Sequence, residues 1–276
     1  MGAWIIAGVT FREASRRKIL WAALLAGAAF LTLFAIGMRL QAKDLAGSRM
    51  PPFIRYQLQS SFLQVGFYAA NILAVLLAIL TSVDTLSGEI ASGTIHAIAT
   101  KPVPRWQILV GKWVGFAGMV AVYVALMFAG VGMVGRLAAG IVTPRLFLAG
   151  ALVYLECLLV LTMTVMCGTW FSTLTNGVVV IGLHGIAFIG GWIEQIAALT
   201  NSPRLVTVGI VSSLLMPSEA LWHRASFEMQ SSLARSLQFT PFANASTPSV
   251  AMIGYAMAYL LIAFAMAIRH FRERDL

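Results

Sequence analysis

Three ionisable side chains fall inside long apolar stretches of this sequence: Glu156, His184 and Glu194. Groups of this kind are costly to bury and mark either a relay of protons or a fixed polar contact between helices. Glu156 reads as the only deep carboxylate, which favours a hydrogen bond to a neighbouring helix over a relay. His184 lies between Gly182 and Gly185, a setting for close helix packing. A lone histidine there reads as a satisfied core residue and not as a metal ligand. Hydrolysis within an apolar segment needs a paired nucleophile and base or several metal ligands. Neither constellation is present, so no catalytic residue and no metal site is expected. Cys157 and Cys167 are ten residues apart, about 15 Å along a helix, which is too far for a disulfide.

These residues must be positioned by elements suited to lipid. Of 276 residues, 59% are hydrophobic and 11% charged, with a mean hydropathy of +0.86. Soluble domains carry about 25% charged residues to wet their surface. The net charge of +9 fits basic flanks of membrane spans. No basic run interleaved with aromatics accompanies it, which excludes nucleic acid as the expected partner. A helix needs about 20 apolar residues to cross the hydrocarbon core. Six segments qualify: Ile19–Met38, Gly66–Leu86, Trp113–Gly135, Leu146–Phe171, Gly177–Leu199 and Val250–Ile268. The fourth is long enough to tilt or kink. The expected fold is an all-α integral membrane protein with six transmembrane helices in one domain spanning 1–276. Arg16, Arg17 and Lys18 precede an apolar run too long for a signal peptide, so the first span reads as a retained anchor.

An even number of spans places both termini on one side. Ten basic residues fall on that side (Arg12, Arg16, Arg17, Lys18, Lys101, Arg105, Lys112, Arg269, Arg272 and Arg274) and nine on the other. The ten crowd the membrane ends of short segments, which places both termini in the cytoplasm. Residues 1–18 mix Trp4, Ile5, Ile6, Val9 and Phe11 with Arg12, Glu13, Arg16 and Arg17, and Glu13 and Arg17 are spaced for an i,i+4 pair. They read as an amphipathic helix on the cytoplasmic leaflet. The outer loop 39–65, with Pro51 and Pro52, is expected to be irregular and then helical. In the outer connection 200–249, Val206–Met216 is apolar but too short to span, and Pro217 stops it. A re-entrant or interfacial hairpin is expected there, followed by an amphipathic stretch near Leu221–Leu237.

The cytoplasmic connection 84–112 carries the most information. Its sequence is DTLSGEIASGTIHAIATKPVPRWQILVGK. Ser92, Gly93 and Thr94 permit a reversal and a helix start. Ile95, Ala97, Ile98 and Ala99 suit a short apolar helix. Pro102 and Pro104 end it, since proline donates no backbone hydrogen bond. Trp106, Ile108 and Leu109 restart a helix running into the third span. Exposed apolar knobs rimmed by polar groups mark a surface for a partner.

The pattern Gly88-Glu-Ile-x-Ser-Gly-Thr94, then Lys101-Pro-x-Pro-Arg-Trp-Gln-Ile-x-Val-Gly-Lys112, resembles the permeases of ABC type-2 transporters. Within them it is most similar to the branch that accompanies nitrous-oxide reductase maturation. Thr10-Phe-Arg-Glu13, Arg16-Arg-Lys18 and Pro217-Ser-Glu-Ala-Leu-Trp222 resemble other parts of that branch. The resemblance implies a permease that pairs with a second copy, as homodimer or heterodimer, in a bacterial inner membrane, and that docks cytoplasmic ABC ATPase subunits for export. It implies that Glu89, Gly93, Thr94, His96, Lys101, Pro102 and Arg105 couple to the ATPase, with Arg12, Glu13 and Arg16 on a connecting helix. It also implies that the second and fifth spans line the path, which makes Asn71 and His184 candidates for its wall. ATP and Mg would sit on the partner, since the chain holds no G-x-x-x-x-G-K-[ST] loop and no cofactor is expected in it. The alternatives from the residues alone are a secondary transporter, which would show internal repeats, and a structural subunit of a larger membrane complex.

Overall fold

The computed structural model describes residues 2–16, 18–84, 88, 104–200, 202–230 and 247–273. All regular structure among them is helical. The elements are α1 (Gly2–Arg16), α2 (Lys18–Ala46), α3 (Pro52–Ser82), α4 (Arg105–Ala139), α5 (Leu146–Gly168), α6 (Thr173–Leu199), α7 (Pro203–Leu215), α8 (Ser218–Met229) and α9 (Val250–Glu273). Six of them, α2 to α6 and α9, are long and apolar enough to cross a membrane, as expected from the sequence.

The helices outrun the apolar runs that announce them. α4 has 35 residues, about 52 Å at 1.5 Å per residue, against a hydrocarbon core of about 30 Å. Loop 39–65 is mostly helix: α2 continues to Ala46 and α3 begins at Pro52. Polar residues such as Arg39, Gln41 and Lys43 are good helix formers, so the helix persists where the apolar run stops. Pro52 sits in the first turn of α3, where its missing N–H costs nothing. α4 closes on Gly140, whose φ of 68° is a left-handed cap.

α5 is the axis of the bundle. It packs against α3, α4, α6, α8 and α9, and every residue from Leu159 to Gly168 is buried. α2 instead lies at the edge and turns Trp21, Leu25, Leu33 and Ile36 outward. It packs on α4 through Gly27 and Leu31, and on α3 through Phe34, which stacks on Phe62 at 5.5 Å and occupies the space that a side chain at Gly66 would need.

The connection 200–249 contains a re-entrant hairpin. α7 and α8 are bent by 107° at Met216–Pro217. α7 runs antiparallel to α6: Gly209 lies against Glu194, and Ser212 against Gly190. α8 runs antiparallel to α5: Glu228 pairs with Arg145 at the start of α5, and Glu219 lies within electrostatic reach of Glu156 halfway along it. The chain therefore dips in from the end where α6 finishes, turns at mid-membrane and returns. Backbone groups freed by such a turn need partners away from water. Two come from α9: Tyr255 Oη and Tyr259 Oη donate to the carbonyls of Leu214 and Leu215 at 2.6 and 3.0 Å.

The amphipathic stretch expected from Leu221 is not interfacial in its described part. Leu221, Trp222, Ala225 and Met229 are buried together with Ser218, Glu219, Ser226 and Glu228. Polar partners on the surrounding spans allow α8 to leave the interface. Residues 231–237 of that stretch lie outside the described residues.

Candidate functional site: the connection mount and the buried polar seam

Among the described residues, two regions concentrate polar contacts between helices. The first mounts the connection 84–112. On one side, α3 delivers the chain to Asp84. Asn176 Nδ2, from the first turn of α6, donates to Val83 O at 3.3 Å and to Thr164 O of α5 at 3.0 Å. Thr173 Oγ1 reaches Asp84 Oδ1 at 3.3 Å. Three helix ends are thereby tied at the departure of the connection. On the other side, Ile108, Leu109, Gly111 and Lys112 of α4 are buried, while Trp106 stays half-exposed. Trp113 Nε1 donates to Thr162 Oγ1 of α5 at 2.9 Å, and its ring packs on Phe264 of α9.

α1 completes this mount by lying along α4. A side chain at Gly115 would meet Thr10 Cβ and Ala7 O at 2.8 and 3.0 Å, so only glycine admits the α1 backbone there. Phe11 covers Gly118. The small face of α1 is spent on α4, and Trp4, Ile5 and Val9 remain exposed, Trp4 by 77%. Arg12 and Glu13 lie on its exposed side. Arg105 opens α4. Glu89, Gly93, Thr94, His96, Lys101 and Pro102 lie outside the described residues, as does the side chain of Arg16.

The second region is a buried seam along α8. Each turn of α8 meets a polar partner. His184 Nδ1 on α6 and Ser218 Oγ are 3.1 Å apart. Gln64 Nε2 on α3 donates to Ser226 Oγ at 2.5 Å. Arg145 and Arg224 both bind Glu228 at 2.6 Å. Burial works against the charge of Glu228, and the hydrogen bond from Arg145 together with Arg224 outweighs it, holding this carboxyl below the usual carboxylate range. Arg145 itself has a φ of 45°, the one positive value at a non-glycine residue among the described residues.

Glu156 is fully buried and Asn71 Nδ2 approaches its Oε1 at 3.5 Å. The expectation of a hydrogen bond to a neighbouring helix is met by this contact. The expectation that Glu156 is the only deep carboxylate is overturned: Glu219 is 2% exposed and lies within electrostatic reach of it. Sequence reasoning missed Glu219 because α8 is short and polar, and only packing carries it inward. Gly182 and Gly185, expected at a close helix contact, have open space where a side chain would go. Gly190 and Gly191 make the close contacts instead, against Ser212 and against Glu219 and His223. Asn71 and His184 therefore belong to one seam inside the chain. Glu194 lies against the backbone of Gly209.

A lipid-adapted bundle of six spans with one rigidly mounted connection is a frame for transport. A family model described as "ABC-2 family transporter protein" matches residues 4–276. The chain belongs to this family. It is a membrane permease component of an ABC transporter, a transport subunit and not itself a catalyst. Membership implies association with an ABC ATPase and with the bilayer. No curated protein matches the chain. Among the described residues, no group of three or more His, Cys, Asp or Glu side chains is arranged to hold a metal ion.

Proposed function

We propose that this permease is the membrane half of an ATP-driven exporter in a bacterial inner membrane, with both termini and connection 84–112 in the cytoplasm. Two permease subunits pair, and separate ATPase subunits carry ATP and Mg. Glu89, Gly93, Thr94, His96, Lys101, Pro102 and Arg105 contact the ATPase, with Arg12, Glu13 and Arg16 of α1 beside them. The motif from Gly88 to Lys112 also supports a place in the nitrous-oxide-reductase-maturation-like branch.

The observation that carries this reading is the mount. A segment that transmits force must be held at both ends by elements that move as units. Asn176 and Thr173 fix the departure of the connection, and the packing of α1 on Gly115 with that of Trp113 on α5 and α9 fixes its return. Motion imposed between these points is delivered to α3 and α4, both longer than the hydrocarbon core is thick.

Mild-detergent purification of the permease from its native membrane, with its partners identified, tests the reading. An ATPase with a phosphate-binding loop is expected to co-purify, and Glu89→Arg with Arg105→Glu is expected to remove it while the permease stays monodisperse. Retention of the ATPase by that double variant would overturn the assignment of the connection.

A further inference from the structure

The seam along α8 contains a set of groups that transport coupling at the connection does not use. Glu156 lies ten residues into α5 and twelve before its end, about 15 Å from either terminus and thus at mid-membrane. Asn71 of α3 faces it, and Glu219 at the tip of the re-entrant hairpin lies within electrostatic reach. Among the described residues, Asn71 Oδ1, Glu156 Oε2 and Glu219 Oε1 are buried acceptors that meet no donor. His223 Nε2 stands 3.6 Å from Glu219 Oε1, too long for a hydrogen bond but an ion pair when the imidazole is protonated. Three orphan acceptors on three helices, two of them carboxyl oxygens, ask for something that supplies both a donor and a positive charge.

Among the neighbours, His223 supplies a positive charge only when it has itself taken up a proton. The titratable groups facing the pair are Tyr68 from α3, Cys157 from α5, His184 from α6 and His223 from α8. Tyr68 Oη receives a hydrogen bond from Trp192 Nε1 at 3.3 Å, and its ring packs on Trp222. The tyrosines of α9 are engaged with carbonyls of α7, and Arg145 and Arg224 are committed to Glu228. No lysine or arginine among the described residues bears on either carboxyl. Two like charges at one water-poor site cannot both persist.

We propose that Glu156 and Glu219 form a proton-binding pair that holds one proton between α5 and α8, and that this proton keeps the re-entrant hairpin seated in the bundle. The proton comes from water and returns to it. Binding removes one of the two charges and converts one orphan acceptor into an O–H donor. Because the two carboxyls sit on different elements, the loaded pair joins the hairpin to the axial helix, and the unloaded pair pushes them apart. Proton occupancy is thereby linked to the position of α8, independently of whether an ATPase drives α3 and α4.

Infrared spectroscopy of the full permease carrying 13C-labelled glutamate tests this. At about pH 8, where exposed carboxyl groups are ionised, the wild type is expected to retain a protonated-carboxyl C=O band. The double variant Glu156→Gln/Glu219→Gln, a neutral mimic of the loaded pair, is expected to lack it. Identical spectra would overturn the proposal. A second readout needs only the wild type: raising the pH is expected to erase the band and to lower the thermal unfolding midpoint together. Loss of the band at constant midpoint would refute the link to the hairpin. Carboxylate bands that shift when Na⁺ replaces a bulky organic cation at fixed pH would show a metal-ion site instead.

Discussion

Helices α7 and α8 are neighbours in the chain and close in length, 13 and 12 residues, yet they partition in opposite ways. α7 is apolar and turns Leu205, Val208, Ile210, Val211, Leu214 and Leu215 outward. α8 carries two glutamates, a histidine, an arginine and two serines, and is buried along most of its length. In water this order would be reversed. In a bilayer the surface is apolar, so an apolar helix loses nothing by facing out, and a polar helix finds its partners only among other polar groups inside the protein. The exposed side of the fold is thus set by lipid, and its specific side by hydrogen bonds.

The sharpest way to break this comparison is to fill the space that α8 occupies beside α6. A side chain at Gly191 would collide with Glu219 Cγ and His223 Nε2, at 2.5 and 3.0 Å from its Cβ, whereas at Gly182 it would meet nothing. Gly191→Leu is expected to destabilise the permease by about 3 kcal/mol, the upper end for overpacking, and Gly182→Leu to change little. Thermal unfolding in detergent, followed by loss of monodisperse protein, compares the two. Equal midpoints would mean that α8 is not seated against α6.

A smaller effect tests whether the polar matches of α8 matter singly. Gln64→Leu removes the donor to Ser226 and is expected to cost about 1–2 kcal/mol, the penalty for a buried hydrogen bond broken from one side. A matched change from Val208 to Ser on the outward face of α7 should cost distinctly less in the same assay.

The smallest effect belongs to the distal clamp. Glu228 has its carboxyl held below the usual range in the folded state, so its pairing stabilises the fold above its unfolded pKa and is lost as the pH falls through the folded one. Arg145 is 64% exposed, so solvent screening limits this term to under about 1 kcal/mol. Unfolding midpoints taken between neutral and acidic pH should drop less for Glu228→Gln than for the wild type.

Much of the fold was legible because hydropathy and length report lipid solubility directly. All six spans, the stop at Pro217 and the restart of a helix at Trp106 follow from residue types and spacing. The end of the first helix was underestimated, since Arg39–Ala46 is helical without being uniformly apolar, whereas the helix expected later in segment 39–65 is there, over Phe53–Val65. In the seam, Glu156 and His184 stood out as titratable groups inside apolar runs, whereas Glu219 and His223 sit in a segment that reads as surface. The glycines around His184 suggested the wrong contact, because one sequence does not show which side of α6 meets its neighbour.

By itself the sequence determined the solvent of this protein, the number of its spans, the bracketed connection 84–112 and, through that connection, its family. Only the tertiary structure decided that α5 is the axis and α2 the edge, that a polar helix is drawn to mid-membrane, and that Glu219 comes within electrostatic reach of Glu156 there. The physical reason is that lipid tails and protein interiors are about equally apolar. Hydropathy therefore says which segments leave water, while the pairing of polar groups across helices says which of them face each other.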